Sequence, residues 1–165
     1  MSKGRKTGAW HLTSVDFDSP DAQALALAQQ AEMAGLYGGE ADIGPARDAS
    51  MFVPPDGLFL VVRDDDGTAV ACGGIARFDE TRAELKRMYV VPHARGLGLG
   101  RRVLVELEDD ALRLGYSGVV LETGDRQPEA VGLYRSAGYE RIPCYPPYAS
   151  RDLSLCFEKR LPPLE

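Results

Sequence analysis

The stretch from Glu84 to Arg102, ELKRMYVVPHARGLGLGRR, holds the residue types and spacing best suited to chemistry in this chain. An apolar strand pattern ends at Pro92, and Arg95, Gly98 and Gly100 follow just before an amphipathic helix pattern. Glycine lets the main chain approach a ligand closely, and a helix start offers unpaired N–H groups at the positive end of its dipole. Together these make an anion site suited to a pyrophosphate. Two carboxylates accompany it: Glu84, early in the same strand pattern, and Glu122, at the end of the next one. A partly buried glutamate titrates closer to neutral pH and can then take a proton.

The glycines discriminate between phosphate-binding motifs. A P-loop closes its glycine run with Lys-Ser or Lys-Thr, where this chain has Arg101-Arg102. A Rossmann fingerprint needs G-x-G-x-x-G; started at Gly96 its third glycine falls on Arg101, and started at Gly98 on Val103. Glu122 stands near where a ribose-binding acid belongs, but the missing glycine outweighs it. The pattern that fits is R-x-x-G-x-G, read as Arg95, Gly98 and Gly100.

The elements that must position these residues follow from periodicity. Trp10 to Phe17 reads as a strand. Ser19-Pro20-Asp21 supplies an N-cap, a first-turn proline and an early acid for a helix that runs to Ala34 and stops at Gly35. Residues 36–56 are rich in Gly, Asp and Pro and predict loop with room for a short helix. Leu58–Arg63 and Ala69–Phe78 predict two strands joined by an Asp64–Gly67 hairpin turn, a commoner role for three aspartates than metal binding. Arg82–Val91 is the next strand. Val103, Leu104, Leu107, Ala111 and Leu114 then recur at helical spacing before Gly115. Val119–Leu121 is a short central strand, and Pro128 opens a helix ended by Gly138. Tyr139–Ile142 and Leu153–Lys159 complete the order β-α-β-β-β-α-β-α-β-β, an α/β fold with a mixed, twisted sheet.

Met88-Tyr89-Val90-Val91-Pro92, the R-x-x-G-x-G loop, Leu121-Glu122-Thr123 and the run from Ala130 through Leu133-Tyr134 to Gly138-Tyr139 occur in that order. In this order they resemble the GNAT superfamily of acetyl-CoA-dependent N-acetyltransferases, over Ala83 to Tyr139. The resemblance implies a single GNAT-like domain over residues 9–165. It implies acetyl-CoA as co-substrate, with the N–H groups of Gly96, Leu97, Gly98, Leu99, Gly100 and Arg101 around its pyrophosphate. Arg95, Arg101 and Arg102 belong to the same binding segment. The backbone of Met88, Tyr89 and Val90 would pair with the pantetheine arm and polarise the thioester carbonyl. Gln127 stands where many members have a cofactor-contacting asparagine. Either Glu122 or Glu84 is the implied general base. Tyr134, aimed at the cofactor sulfur, is the implied acid, since a phenol and a thiolate have comparable basicity.

The implied reaction is direct acetyl transfer to a primary amine. A small cationic metabolite is the leading acceptor class; protein N-termini or lysines, and a non-catalytic acyl-CoA sensor, are the alternatives. Glu40 and Asp42 could pair with an ammonium, and Tyr145 or Tyr148 could flank the acceptor's body. The formal charge of −6, from 19 basic and 25 acidic residues, argues against a nucleic-acid partner and mildly favours a cationic acceptor. No apolar run reaches the ~18 residues of a membrane span. The basic residues 1–8 lack an apolar signal core and read as a disordered tail, so a cytoplasmic location is expected. The three cysteines match neither a disulfide framework nor a zinc site, and Cys72 and Cys156 read as buried small hydrophobes. An acyl-cysteine route would need one of them beside the thioester. A homodimer is possible for this family.

Overall fold

The computed structural model describes residues 9–38 and 49–163. Among them seven strands form one sheet: β1 (His11–Val15), β2 (Leu58–Arg63), β3 (Ala69–Arg77), β4 (Arg82–Val90), β5 (Gly118–Gly124), β6 (Glu140–Ile142) and β7 (Ser154–Arg160). Their spatial order is β1-β2-β3-β4-β5-β7-β6. Neighbours are antiparallel except β4 and β5, which run parallel through the crossover helix α2 (Leu99–Arg113). Helices α1 (Pro20–Tyr37) and α3 (Pro128–Ser136) complete the expected element order. The fold is the mixed α/β fold that the motifs implied.

The continuous apolar run of β2 has a physical cause in burial on both faces. Phe59 and Val61 point to the α1 side, where Phe17 and Phe52 stand with Phe59 at ring separations of 4.9–5.3 Å. Leu60 and Val62 point the other way, into a cluster with Val103, Leu104 and Leu107 of α2. On β4 the residues joining that α2 cluster are Ala83 and Leu85, and on β5 they are Val119 and Leu121. The pleat therefore turns Glu84, Lys86 and Glu122 onto the opposite face.

Several local expectations need correction. Helix α1 passes through Gly35 and ends after Tyr37, with Gly38 in the left-handed conformation at φ +86° and its N–H on the Ala34 carbonyl. Gly38 thus performs the termination assigned to Gly35. Ser19 occupies the N-cap position, but its buried Oγ bonds nothing among the described residues. β1 is shorter than the Trp10–Phe17 pattern, and β4 gives way to a 3-10 turn at Pro92–Ala94. Asp64 serves the hairpin turn, its Oδ1 accepting the N–H groups of Asp66 and Thr68 at 2.9 and 3.0 Å. Residues 1–8, and Glu40 and Asp42 of the expected acceptor loop, lie outside the described residues.

The cysteine reading changes most. Cys144 and Cys156 form a disulfide, because the segment after β6 folds back on β7 and brings their Cα atoms within 5.1 Å. Cys72 alone keeps its thiol. In the chain-entropy picture a cross-link over so short a loop stabilises by about 3 kcal/mol. Reduction, or Cys144→Ser, should lower the calorimetric unfolding midpoint by roughly 6–12 °C. A midpoint indifferent to reductant would mean that the bond does not form in solution.

Candidate active site

The site begins where the β4–β5 ladder stops. The two strands pair from Arg82–Gly118 to Leu85–Leu121 and no further. Past that point a cleft opens between them, and it forms a cavity of about 1160 Å³. Its walls come from α1, the C-terminal halves of β4 and β5, the start of α2, one side of α3 and residues 148–154.

A bulge aims the β4 wall. Tyr89 pairs with Cys72 and Lys86 with Gly74, so Gly73 alone faces Arg87 and Met88. Arg87 adopts φ +61°, a left-handed conformation that costs a non-glycine residue about 1–3 kcal/mol. Gly73 makes room for the bulge, since a Cβ there would press on the Met88 sulfur. Beyond the bulge the Val91 N–H donates to the Val70 carbonyl of β3 at 2.9 Å. Alternation then points the backbone of Val90 into the cleft. The Val90 carbonyl accepts from Arg95 Nε at 2.9 Å, and the Met88 carbonyl from Gln29 Nε2 of α1 at 3.1 Å.

At one end the cavity meets the start of α2. Gly96 and Gly98 lie at φ +78° and +79°, backbone conformations that a side chain would strain. Gly98 is the N-cap, and Arg102 N–H is the first to bond back, to the Gly98 carbonyl at 3.1 Å. The N–H groups of Leu99, Gly100 and Arg101 precede it and have no acceptor within the helix. Gly96, Gly98, Leu99, Gly100 and Arg101 all line the cavity, whereas Leu97 and Arg102 do not. The Arg101 guanidinium hydrogen-bonds the Ser136 hydroxyl of α3. The Arg95 guanidinium pairs with Glu32 of α1 at 2.6 Å, fastening that helix to the end of β4.

At the other end stand the two glutamates. Glu84 is buried, its Oε1 lies 2.8 Å from Lys86 Nζ, and its Oε2 accepts the Tyr145 hydroxyl at 3.0 Å. Glu122 is half-buried, directly opposite Cys156 in the β5–β7 register. Burial raises its pKa above the ordinary carboxylate range. A hydrogen bond from Ser154 and the charges of Arg151 and Lys86 oppose that rise, and the Glu84 charge adds to it. Tyr134 lines the cavity from α3; burial, then the Glu122 charge, raises its pKa, so its phenol stays protonated. Gln127 also lines the cavity, at the N-cap of α3.

Some of the acceptor-side expectations separate here. Tyr148 lines the cavity, with Lys86 Nζ 5.9 Å and the Arg151 guanidinium 5.6 Å from its ring centre. Tyr145 stands behind Glu84 instead, packed on Phe78 at 4.7 Å. Lys86, Gln29, Ser154 and the Tyr37–Arg126 contact were not singled out from sequence. Alternation on β4 places Lys86 beside Glu84, so that one was within reach. Tyr37 accepts the Arg126 N–H at 3.0 Å, and Arg126 donates to the Leu36 carbonyl at 2.9 Å, across about 90 residues. Nothing local in the sequence signals such a contact.

The combination of a helix-start anion cradle, an unzipped β4–β5 seam and a carboxylate facing a phenol suits transfer of an acyl group from a long phosphorylated carrier. Residues 19–139 match the model of the Acetyltransferase (GNAT) family. The chain belongs to that family. A relative in Azospirillum brasilense, named IAA acetyltransferase, is 44% identical over 115 residues, covering 69% of this chain and 74% of that protein. The N-alpha-acetyltransferase RimI of Mycobacterium tuberculosis is 34% identical over 113 residues, covering 66% and 68%. A Klebsiella pneumoniae structure described as an acyl-CoA N-acyltransferase superposes with a TM-score of 0.78 at 30% identity, over 92% of this chain and 97% of that one. As a GNAT protein this chain is an acyltransferase that uses acetyl-CoA. Among the described residues no helix is long and apolar enough to cross a membrane.

Proposed function

We infer that this GNAT enzyme moves the acetyl group of acetyl-CoA directly to a primary amine carried by a small cationic metabolite. The observation that carries the reading is the continuity of one cavity from the α2 helix start to Glu122 and Tyr134. The residues fit the donor. The Gly96–Arg101 segment would hold its pyrophosphate, and Met88 and Val90 would pair with the pantetheine arm. Gln29 Oε1, buried beside them without a partner among the described residues, suits an amide N–H of that arm. Bound acetyl-CoA supplies an activated thioester carbonyl.

Glu122 takes the ammonium proton, directly or through water, and the freed nitrogen forms the new C–N bond as the C–S bond breaks. Tyr134 gives its proton to the departing sulfur, and the second proton that the nitrogen sheds as the amide forms restores the phenol through water. Glu122 is the stronger base candidate, because both oxygens of Glu84 are already engaged by Lys86 and Tyr145. An acyl-cysteine route lacks a nucleophile: Cys144 and Cys156 are bonded to each other, and burial pushes the Cys72 thiol up to about 12.

The net charge of −6 favours a cationic acceptor. The two relatives carry different acceptor types in their names, so family membership alone does not choose the acceptor. The test is thermal unfolding with acetyl-CoA or CoA, followed by a CoA-thiol release screen over pooled amino acids, polyamines and aminoglycosides, with an N-terminal peptide arm. Stabilisation by both nucleotides and release with one small-amine pool is the expected result. Release with the peptide alone would overturn the metabolite reading, and stabilisation with no release in any arm would favour a sensor.

A further inference from the structure

On the cleft face the carboxylates of Glu84 and Glu122 stand with the ammonium of Lys86. The Lys86 and Glu84 side chains are only 7% and 10% exposed, and their charged atoms lie 2.8 Å apart. Such a pair is poor evidence for stability, because desolvation consumes most of the Coulomb gain. Its placement is more telling. Lys86 lines the cavity between Glu84 on its own strand and Glu122 on the neighbouring strand. A charged carboxylate nearby disfavours the ionised form of another, and a cation beside the pair opposes that effect.

We propose that Lys86 is a positioning residue for the acetyl-transfer step: by neutralising Glu84 it leaves Glu122 as the one carboxylate free to receive the amine proton. This rests on the assignment of Glu122 as the base. Every element around Glu122 contributes to the balance. Lys86 and Glu84 face it from β4, Tyr134 from α3, Arg151 and Tyr145 from the 143–153 connection, and Ser154 from β7. Arg151 and Ser154 favour the ionised form directly. Lys86 acts in two ways, by its own charge and by cancelling that of Glu84.

The experiment is the pH dependence of kcat/KM for the amine at saturating acetyl-CoA, in the full chain. Lys86→Met keeps the length of the side chain and removes the charge, so the ascending limb should move up by about one pH unit. Turnover at pH 7 then falls by up to about tenfold and recovers at higher pH, while KM for acetyl-CoA holds. Lys86→Arg should restore the wild-type limb. Glu84→Gln, which removes the repelling charge and needs no buried cation to be lost, should move the limb the opposite way. A limb unmoved in Lys86→Met, or in Glu84→Gln should Lys86→Met not fold, overturns the proposal. Glu122→Gln separates the two levels. If its limb persists, the base assignment itself has failed; if its limb vanishes while the other variants are unmoved, only the role of Lys86 has failed.

Discussion

Glu122→Gln should lower kcat/KM for the amine by roughly 10²–10⁴-fold, the usual size of a lost general base. The amide keeps the shape of the side chain and can still meet Ser154, but it cannot accept the ammonium proton. The wild-type pH profile should carry the same information. A base works in its ionised form, and burial lifts the Glu122 pKa above the ordinary carboxylate range. Activity should therefore still be rising at pH values where a solvated glutamate is fully ionised. In the variant only the amine's own deprotonation should remain in the profile. Acetyl-CoA should continue to stabilise the protein against heat, since in the proposed binding mode its phosphates and arm would meet α2 and β4. A variant with wild-type turnover, measured where chemistry limits the rate, would remove Glu122 from the reaction.

Tyr134→Phe should lower kcat by about 10²-fold and leave KM for acetyl-CoA almost unchanged. Phenylalanine preserves the packing of the ring, which stands 5.8 Å from Tyr139 and 6.5 Å from Phe157. Only the hydroxyl is lost, so the fold should tolerate the change. The upward shift of the Tyr134 pKa, from burial and the Glu122 charge, keeps the phenol protonated, the form that the proposed acid role requires. An acyl donor with a more acidic thiol needs no such acid. With an aryl thioester the gap between variant and wild type should shrink to within a few-fold. An equal defect with both donors would argue that Tyr134 is a packing residue.

Much of this arrangement was legible in the chain because it is local. The R-x-x-G-x-G loop, the proline that ends β4 and the spacing of Val103, Leu104 and Leu107 together specify a strand, a turn and a helix within about 30 consecutive residues. What escaped was long-range. Cys144 and Cys156 meet because β6 returns along β7, and no spacing rule distinguishes that return from two unrelated thiols. Arg95 reads from the sequence as part of the loop motif, and nothing local announces that its guanidinium also pairs with Glu32 of α1. Gly35 reads as a helix stop because glycine has low propensity, yet the tertiary packing of α1 carries the helix two residues further to Tyr37. The assignment of a base between Glu84 and Glu122 stayed open for the same reason. Only the folded chain shows that Tyr145, 61 residues away, has taken one oxygen of Glu84.

The seam between β4 and β5 also bears on how an open sheet guards its unpaired backbone. A strand with unpaired backbone groups is a template for another chain's strand, and proteins guard such edges by shortening or covering them. At the periphery this sheet uses brevity, with five residues in β1 and three in β6. The seam, residues 86–90 against 122–124, opens at the centre of the sheet, where α1, α3 and residues 148–154 wall it in. These walls cover the seam from three sides. Under the proposed binding mode, the edge that would otherwise template another strand is reserved for one that is not made of protein.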